Sequence, residues 1–272
     1  MATDLHGNLQ DFRRLRDLFE AARQTTEGAA HLLFTGDLIH GPDYSLPDWP
    51  DFMGSYYEDH SGPLLDEFIA LQAAFPAQVH ALLGNHEHSH IGGPHTPKFW
   101  PDETRHFEEV VGSARAARYR ALFAGFPLVA ITGCGVAVTH AAPNLVIDGA
   151  HAIEALRYDG YEQMRLDQLD QMPPLGRLLW ARRCPKAVAR AFLTALSGSE
   201  GPALHLVVFG HEVVNDGFNR VGDEQLVLSS SFGLRNAHKH YLELDLAGSY
   251  RSTADLVLGR ELLALYAGEP SG

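Results

Sequence analysis

Cationic side chains are scarce in this chain: 21 Lys and Arg stand against 34 Asp and Glu, a formal net charge of −13. Proteins that grip nucleic acid do so through a basic face that neutralises phosphates, so this balance argues against a nucleic-acid partner. A small phosphorylated molecule stays open, because one bound cation reverses the local field. Cysteine is scarcer still. Cys134 and Cys184 are the only two, with no CxxC, which argues against a disulfide framework and a thiolate zinc site. Buried free thiols are the expectation for both. Long apolar runs are missing too: no stretch approaches the roughly 20 residues that span a bilayer, so no membrane partner is expected. Met1 is followed almost at once by Asp4 and His6, without the pattern of a secretory signal. The expected location is cytoplasmic.

What the chain has in excess is histidine, 16 in 272 residues. Surface tolerance would explain that blandly and metal binding more sharply, so position has to decide. Four short apolar runs end in polar residues of a restricted kind: "HLLFTGD" (31–37), "VHALLGNH" (79–86), "GVAVTH" (135–140) and "LHLVVFGH" (204–211). Each has strand length and is bounded by Gly or polar residues. Continuous rather than alternating apolar character suggests sheets covered on both faces. Helical spacing separates them, over residues 8–23, 63–75 and 185–196, the last two opening on Pro, which suits a first helical position. Strand–helix–strand order favours an α/β sandwich. "QLVLSSSF" and "HKHYLELDL" read as further strands, and the apolar segment Leu256–Tyr266 as a core helix or an interface. Irregular loops are expected about 42–62 and 88–104, where Pro, Gly and aromatics mix. Such loops contact substrate about as often as they do nothing.

The polar residues at those ends form one set. Asp4 and His6 precede the first helix, Asp37 closes "TGD", Asn85 and His86 close "GNH", His140 closes "VTH" and His211 sits in "FGHE". In α/β sheets ligands gather outside the carboxyl ends of strands, so five separate segments could converge. Carboxylate, imidazole and amide oxygen suit manganese, iron or zinc. Six ligands exceed an ordinary zinc site but match two ions sharing one carboxylate, the arrangement that clamps a phosphoryl displacement.

"DLHGN", "GDLIHG", "GNHE", "THA" and "GHE" occur in the order found in the calcineurin-like metallophosphoesterases, which the chain resembles. The likeness is closer to the phosphoprotein phosphatase branch, with its bacterial relatives and diadenosine tetraphosphatases, and it runs from Asp4 to about His211. The resemblance implies a four-layer αββα sandwich of two mixed sheets flanked by helices, one domain over 1–272 with a clipped first strand. It implies two divalent ions, manganese first, with iron or zinc as alternatives. Asp4 and His6 would hold one ion, Asn85, His140 and His211 the other, and Asp37 would bridge. A hydroxide between the ions would attack phosphorus in line, and His86 would protonate the leaving oxygen. Gly7 and Gly84 would allow tight turns. Val213 stands where cyclic-nucleotide phosphodiesterases of the superfamily carry a second His.

The departures matter as much. Where the family reads "GDxVDRG" this chain reads "GDLIHGP", with His40 in place of the Asp that orients the acid imidazole and Gly41 in place of a phosphate-gripping Arg. Leu83 replaces a second Arg, so two charge-assisted phosphate contacts are missing. Arg182 in "LLWARR", which resembles the W-x-R segment of bacterial and phage relatives, is the best remaining clamp. His40, His88 and His90 could donate further hydrogen bonds, and His40 is counted with Arg182 as a substrate contact. A first strand of three residues would hold Asp4 and His6 poorly, so either this start is internal to a longer protein or the strand is clipped. Three functions compete: a phosphomonoesterase acting on a small metabolite or a phosphopeptide; a dinucleoside polyphosphate hydrolase stacking bases on Tyr44, Trp49, Tyr56 or Tyr57; and a phosphatase-like regulatory protein whose site has drifted.

Overall fold

A computed structural model describes residues 1–169, 174–198 and 201–266. The elements run α1 (Leu9–Thr25), β1 (Leu32–Phe34), α2 (Ser61–Ala74), β2 (Val79–Ala81), α3 (Asn85–His88), α4 (Glu103–Val111), α5 (Ser113–Phe123), β3 (Val129–Ile131), β4 (Val136–Thr139), α6 (Ala150–Glu154), α7 (Pro174–Trp180), α8 (Lys186–Ser197), β5 (Leu206–Phe209), β6 (Phe218–Val221), β7 (Gln225–Leu228), β8 (His240–Leu242) and β9 (Leu262–Ala264). All four apolar runs hold strands, and the three helical patterns are α1, α2 and α8. Leu256–Tyr266 is not a helix, one of the two readings of its sequence. It carries β9, with Leu256, Leu262 and Leu265 fully buried. No helix among the described residues is long and apolar enough to cross a membrane.

The strands make two mixed sheets. One has the order β3-β4-β5-β7-β6, parallel in its centre and antiparallel at both edges. In the other, β1 and β2 pair in parallel and β8 and β9 antiparallel, and residues 1–3 join the two pairs. Ala2 donates to Leu33 O and accepts from Thr35 N, both at 3.0 Å. Met1 exchanges both backbone bonds with Leu242, at 2.8 and 3.0 Å. Three residues thus do the work of a strand, and Asp4 follows at once.

Strand residues point alternately to opposite faces, and the core divides accordingly. Val136, Val138, Leu206, Val208, Leu226 and Leu228 of one sheet pack with Leu33, Leu242 and Leu262 of the other. Their neighbours Ala137, Val207, Phe209 and Val227 face outward and pack with Leu178, Leu179, Ala189 and Phe192 of α7 and α8. On the second sheet, Phe34, Val79 and Ala81 pack with Phe12, Leu15, Leu64 and Phe68 of α1 and α2. Helix, sheet, sheet, helix are the four layers. Because both faces of β4, β5 and β7 are covered, every position on them is buried, which is why their sequences read as continuous apolar runs. Fully burying one such Leu or Val stabilises by about 1.5–3 kcal/mol.

Candidate active site

All the candidate ligands lie at carboxyl ends of strands. Asp37 follows β1, Asn85 and His86 open α3 after β2, His140 follows β4 and His211 follows β5. Asp4 and His6 follow residues 1–3. The backbone here is unusual. Among the described residues six non-glycines have φ in the left-handed region, and five are Asp4 (51°), His6 (44°), Asp37 (54°), His40 (65°) and His211 (65°). Each such residue costs on the order of 1–3 kcal/mol and persists only when its surroundings over-determine it.

The surroundings do so with hydrogen bonds. His6 N donates to Asp37 O at 2.9 Å and Gly7 N to Leu38 O at 2.8 Å. The Glu87 carboxylate accepts from Asp37 N at 2.8 Å, Leu38 N at 2.7 Å and Gly84 N at 3.1 Å, tying the β1 exit to the β2 exit. His211 N donates to both oxygens of Asp4 at 3.1 Å. Gly7 has the expected positive φ of 76°. Gly84 does not, at −96°; it is required because any Cβ there would run into the Asp37 carboxylate and backbone.

The side chains converge on Asp37. Its Oδ2 lies 3.7 Å from His6 Nε2 and its Oδ1 3.6 Å from His140 Nε2, so its two oxygens face two different imidazoles. Two groups with metal-ligand spacing share it: His6, Asp37 and His86, and Asp37, His140 and His211. The tautomers are set from behind. His6 Nδ1 donates to Ile39 O and His40 O at 3.1 and 3.2 Å, and His140 Nδ1 donates to Thr35 O at 2.9 Å. Carbonyls only accept, so each Nε2 keeps its lone pair, the form a metal ligand needs. Asn85 Oδ1 lies 2.9 Å from His140 Nε2, two acceptors facing one another, and His211 Nε2 is buried without a hydrogen-bond partner. Divalent cations between these atoms would satisfy all of them.

Electrostatics agree with that fit. Burial pushes the Asp4 carboxyl up to about 7, with Asp37 adding to it. Burial likewise pushes Asp37 up to about 7, against the pull of the His86 N–H bond. Burial also lowers the imidazoles of His6, His86 and His211 far below their usual range, and that of His140 in the same direction. The protein alone thus favours a neutral cluster, and bound cations would restore the carboxylates.

Asp4, His6, Asp37, Asn85, His86 and His211 line one cavity of about 480 Å³. Arg182 lines it too, though its guanidinium donates to Glu212 Oε2 at 2.6 Å. Lys98 is a lining residue that the sequence does not single out. As a whole the residue is exposed, but its ammonium turns inward, 3.4 Å from His6 Nε2 and 3.9 Å from the Phe232 ring centroid. It arrives on the 88–104 loop, where the sequence offers only a lysine among Pro, Gly and aromatics. Glu87 also escapes the sequence reading as a functional residue; its signal is a carboxylate three residues after a helix-capping glycine. His40 does not line the cavity. It lies behind His86, turned there by its left-handed backbone and by its N–H bond to Ser61 Oγ at 3.0 Å, so the expected direct substrate contact is not what the structure holds. Tyr44, Trp49, Tyr56 and Tyr57 do not line it either. Trp49 packs on Tyr56 and Tyr57 at 5.1 and 5.5 Å, and the Tyr57 hydroxyl donates to His6 O.

Strand-end carboxylates and imidazoles around a shared aspartate, between two mixed sheets, define a metallophosphoesterase class of site. The model of the calcineurin-like phosphoesterase family matches residues 1–234, and the chain belongs to that family. Among solved structures it is similar to a protein serine/threonine phosphatase from Saccharomyces cerevisiae with similarity to human phosphatase PP5, at 15% identity and a TM-score of 0.56 over 85% of this chain and 66% of that one. It is also similar to a cold-active protein-tyrosine phosphatase of a psychrophilic Shewanella, at 13% identity and a TM-score of 0.51 over 84% and 69%. At these identities the likeness is one of fold, and the chain spans just under two thirds of the yeast protein's length. No curated protein matches the sequence.

Proposed function

We propose that the protein is a dinuclear metal-dependent phosphomonoesterase acting on a small phosphorylated molecule. The observation that carries this reading is Asp37, with one carboxylate oxygen towards His6 and the other towards His140. Asp4 and His6 would hold one ion, Asn85, His140 and His211 the other, and Asp37 both. When bound, two such ions supply a nucleophile at neutral pH and neutralise phosphate charge. The chain's own residues do the rest. Lys98 and Arg182 hold the phosphate oxygens that the family's missing arginines would have held, and Lys98 swings from His6 to do so. His86 keeps its Nδ1 engaged behind the cavity; in the imidazolium form it gives the Nε2 proton to the leaving oxygen as the P–O bond breaks, which leaves the neutral Nδ1–H ring. A cavity of about 480 Å³ admits a small phosphate ester more readily than a folded phosphoprotein, and the dinucleoside reading loses the four stacking aromatics offered for it, since none of them lines the cavity.

The test is phosphate release from p-nitrophenyl phosphate, bis-p-nitrophenyl phosphate and a dinucleoside tetraphosphate with added manganese, beside metal content by mass spectrometry. Two metal equivalents and monoester turnover that disappears in Asp37→Ala are expected. Preference for the polyphosphate would replace the substrate assignment. Stoichiometric metal without turnover of any ester would leave a regulatory phosphatase-like protein.

A further inference from the structure

Behind His86 lies a buried line of side chains that the metal site does not use. His86 Nδ1 is 2.8 Å from His40 Nδ1, His40 Nε2 is 3.0 Å from His90 Nε2, and His90 Nδ1 is 2.9 Å from Glu108 Oε1. Arg120 Nη1 donates to the other Glu108 oxygen at 2.6 Å. His86, His40 and His90 are 5%, 4% and 7% exposed, and Phe107 and Phe123 pack on the His90 ring at 5.4 and 5.7 Å. His86 lines the catalytic cavity, while His90 and Glu108 line a separate cavity of about 580 Å³. The line therefore joins two cavities.

We propose that His40, His90 and Glu108 are positioning residues that fix the tautomer of His86, as a relay of two imidazoles ending in a carboxylate. The proposal rests on the reading of His86 as the acid of a phosphoesterase. Donor counting sets the polarity. An ionised carboxylate only accepts, so His90 Nδ1 carries the proton on the last link. Neutral His90 then has a lone pair on Nε2, which accepts from His40 Nε2–H. Neutral His40 in turn has its lone pair on Nδ1, which accepts from His86 Nδ1–H. His86 is left with Nε2 as the nitrogen that takes up and gives away the catalytic proton. One carboxylate thus selects the tautomer of three rings. The hydrogen bond from His90, ahead of the one from Arg120, holds the Glu108 carboxyl at about 2, so it is ionised. The two bonds between imidazoles are buried beside Phe107 and Phe123, where water competes little and each is strengthened.

The sequence change explains itself on this reading. A histidine Nδ1 is bonded to Cγ just as an aspartate Oδ is, so His40 presents an acceptor at the same reach. Unlike an aspartate it cannot supply the charge, and the ring passes that duty on to Glu108. Glu103 is the rival orienting group. It stands 3.7 Å from His86 Nδ1, beyond hydrogen-bond range, and its oxygens accept from Thr96 Oγ1 and Phe99 N. A third ion shared by His40, His86 and Glu103, which have ligand spacing, is the other rival.

The experiment uses the full-length protein with ¹⁵N-labelled histidine, as wild type, His90→Phe and Glu108→Gln. Metal-free long-range ¹H–¹⁵N spectra read the tautomers without any turnover. A single His86 Nδ1–H tautomer in the wild type that becomes a mixture in His90→Phe is expected, with a smaller shift in Glu108→Gln, which also serves if the ring replacement does not fold. With manganese, the ratio of kcat/KM for p-nitrophenyl phosphate over phenyl phosphate is the second readout, since only the poorer leaving group needs the acid. It should rise roughly tenfold in His90→Phe, part of the ~10²–10⁴ that a general acid supplies. Unchanged tautomers in both variants would overturn the relay, as would a third metal equivalent that disappears in His40→Phe. If no ester is turned over, the phosphoesterase reading fails by itself, and the spectra alone decide the relay.

Discussion

The floor of the cavity and its rim are built on opposite plans. On the floor, short side chains leave the ends of strands, on backbone held in left-handed conformations by paired hydrogen bonds, and their imidazoles are oriented by carbonyls behind them. At the rim stand two long cationic side chains, Lys98 and Arg182. Arg182 has 63% of its side chain exposed and is paired with Glu212, and Lys98 rests on Phe232. The floor puts its precision into the main chain, where a shift of an ångström would misplace a reacting atom. The rim reaches with four-carbon and guanidinium stems that adjust to a ligand at a cost in rotamer entropy. On the proposed function, metal chemistry, which tolerates little variation in geometry, would fall to the floor, and substrate choice, which changes with loops, to the rim.

Breaking the floor should therefore cost far more than breaking the rim. On the proposed function Asp37→Ala would remove the shared ligand, and the expected loss is at least ~10³ in kcat with loss of both ions, read by turnover and metal analysis. Glu87→Ala touches no substrate, yet it strips the acceptor from the backbone N–H groups of Asp37, Leu38 and Gly84. At about 1–3 kcal/mol for each buried donor left unsatisfied, a stability loss of about 3 kcal/mol or more is expected in urea unfolding, together with weaker metal retention. A Glu87→Ala protein as stable as the wild type would mean that the left-handed turns hold themselves. Lys98→Ala at the rim is milder. On the proposed function it would remove one charge-assisted hydrogen bond to a phosphate, worth about 1.5–3 kcal/mol, and the effect should appear mainly in KM. Should Lys98→Ala instead release metal and leave KM unchanged, the ammonium belongs to the floor.

The same division governs what can be read in the sequence. Asp4, His6, Asp37, Asn85, His140 and His211 are legible because each follows an apolar strand or bridge at once, so a local pattern locates it in space. The four-layer fold is legible for the same reason, since strands buried on both faces leave continuous apolar runs. The rim depends on where long loops settle, and no local pattern tells that Lys98 returns to His6 from 92 positions away. His40 is visible as an anomaly in "GDLIHG", but the sequence points it at the substrate. Its true neighbours, His86 and His90, lie 46 and 50 positions on, and only the fold shows that it faces backwards. The tail misleads because Leu256–Tyr266 has apolar content without strand-like alternation, and β9 takes its identity from its partner β8 rather than from its own sequence.

The smallest effect expected lies farthest from the floor, at Glu108. Its carboxyl stands at about 2 against an ordinary 4.5, held down first by the hydrogen bond from His90 and opposed by burial, with Arg120 also lowering it. A folded-state value below the unfolded one means that the unfolded chain binds the proton more readily. The carboxylate's contribution is therefore complete above about pH 4.5 and is lost as the pH falls towards 2. Water reaches this side chain, which is 28% exposed, so screening cuts the contribution to about 1 kcal/mol. Glu108→Gln should accordingly unfold more easily than wild type in urea at pH 6 by about that amount, with the two curves drawing together below about pH 3 as the wild-type carboxyl protonates. Metal content should stay at the wild-type level throughout, because no candidate ligand bonds to Glu108. A gap that persists undiminished at about pH 2.5 would trace the loss to packing around Arg120 instead of charge. Loss of metal in Glu108→Gln would mean that the line of histidines reaches into the floor, and that floor and relay form one cooperative unit.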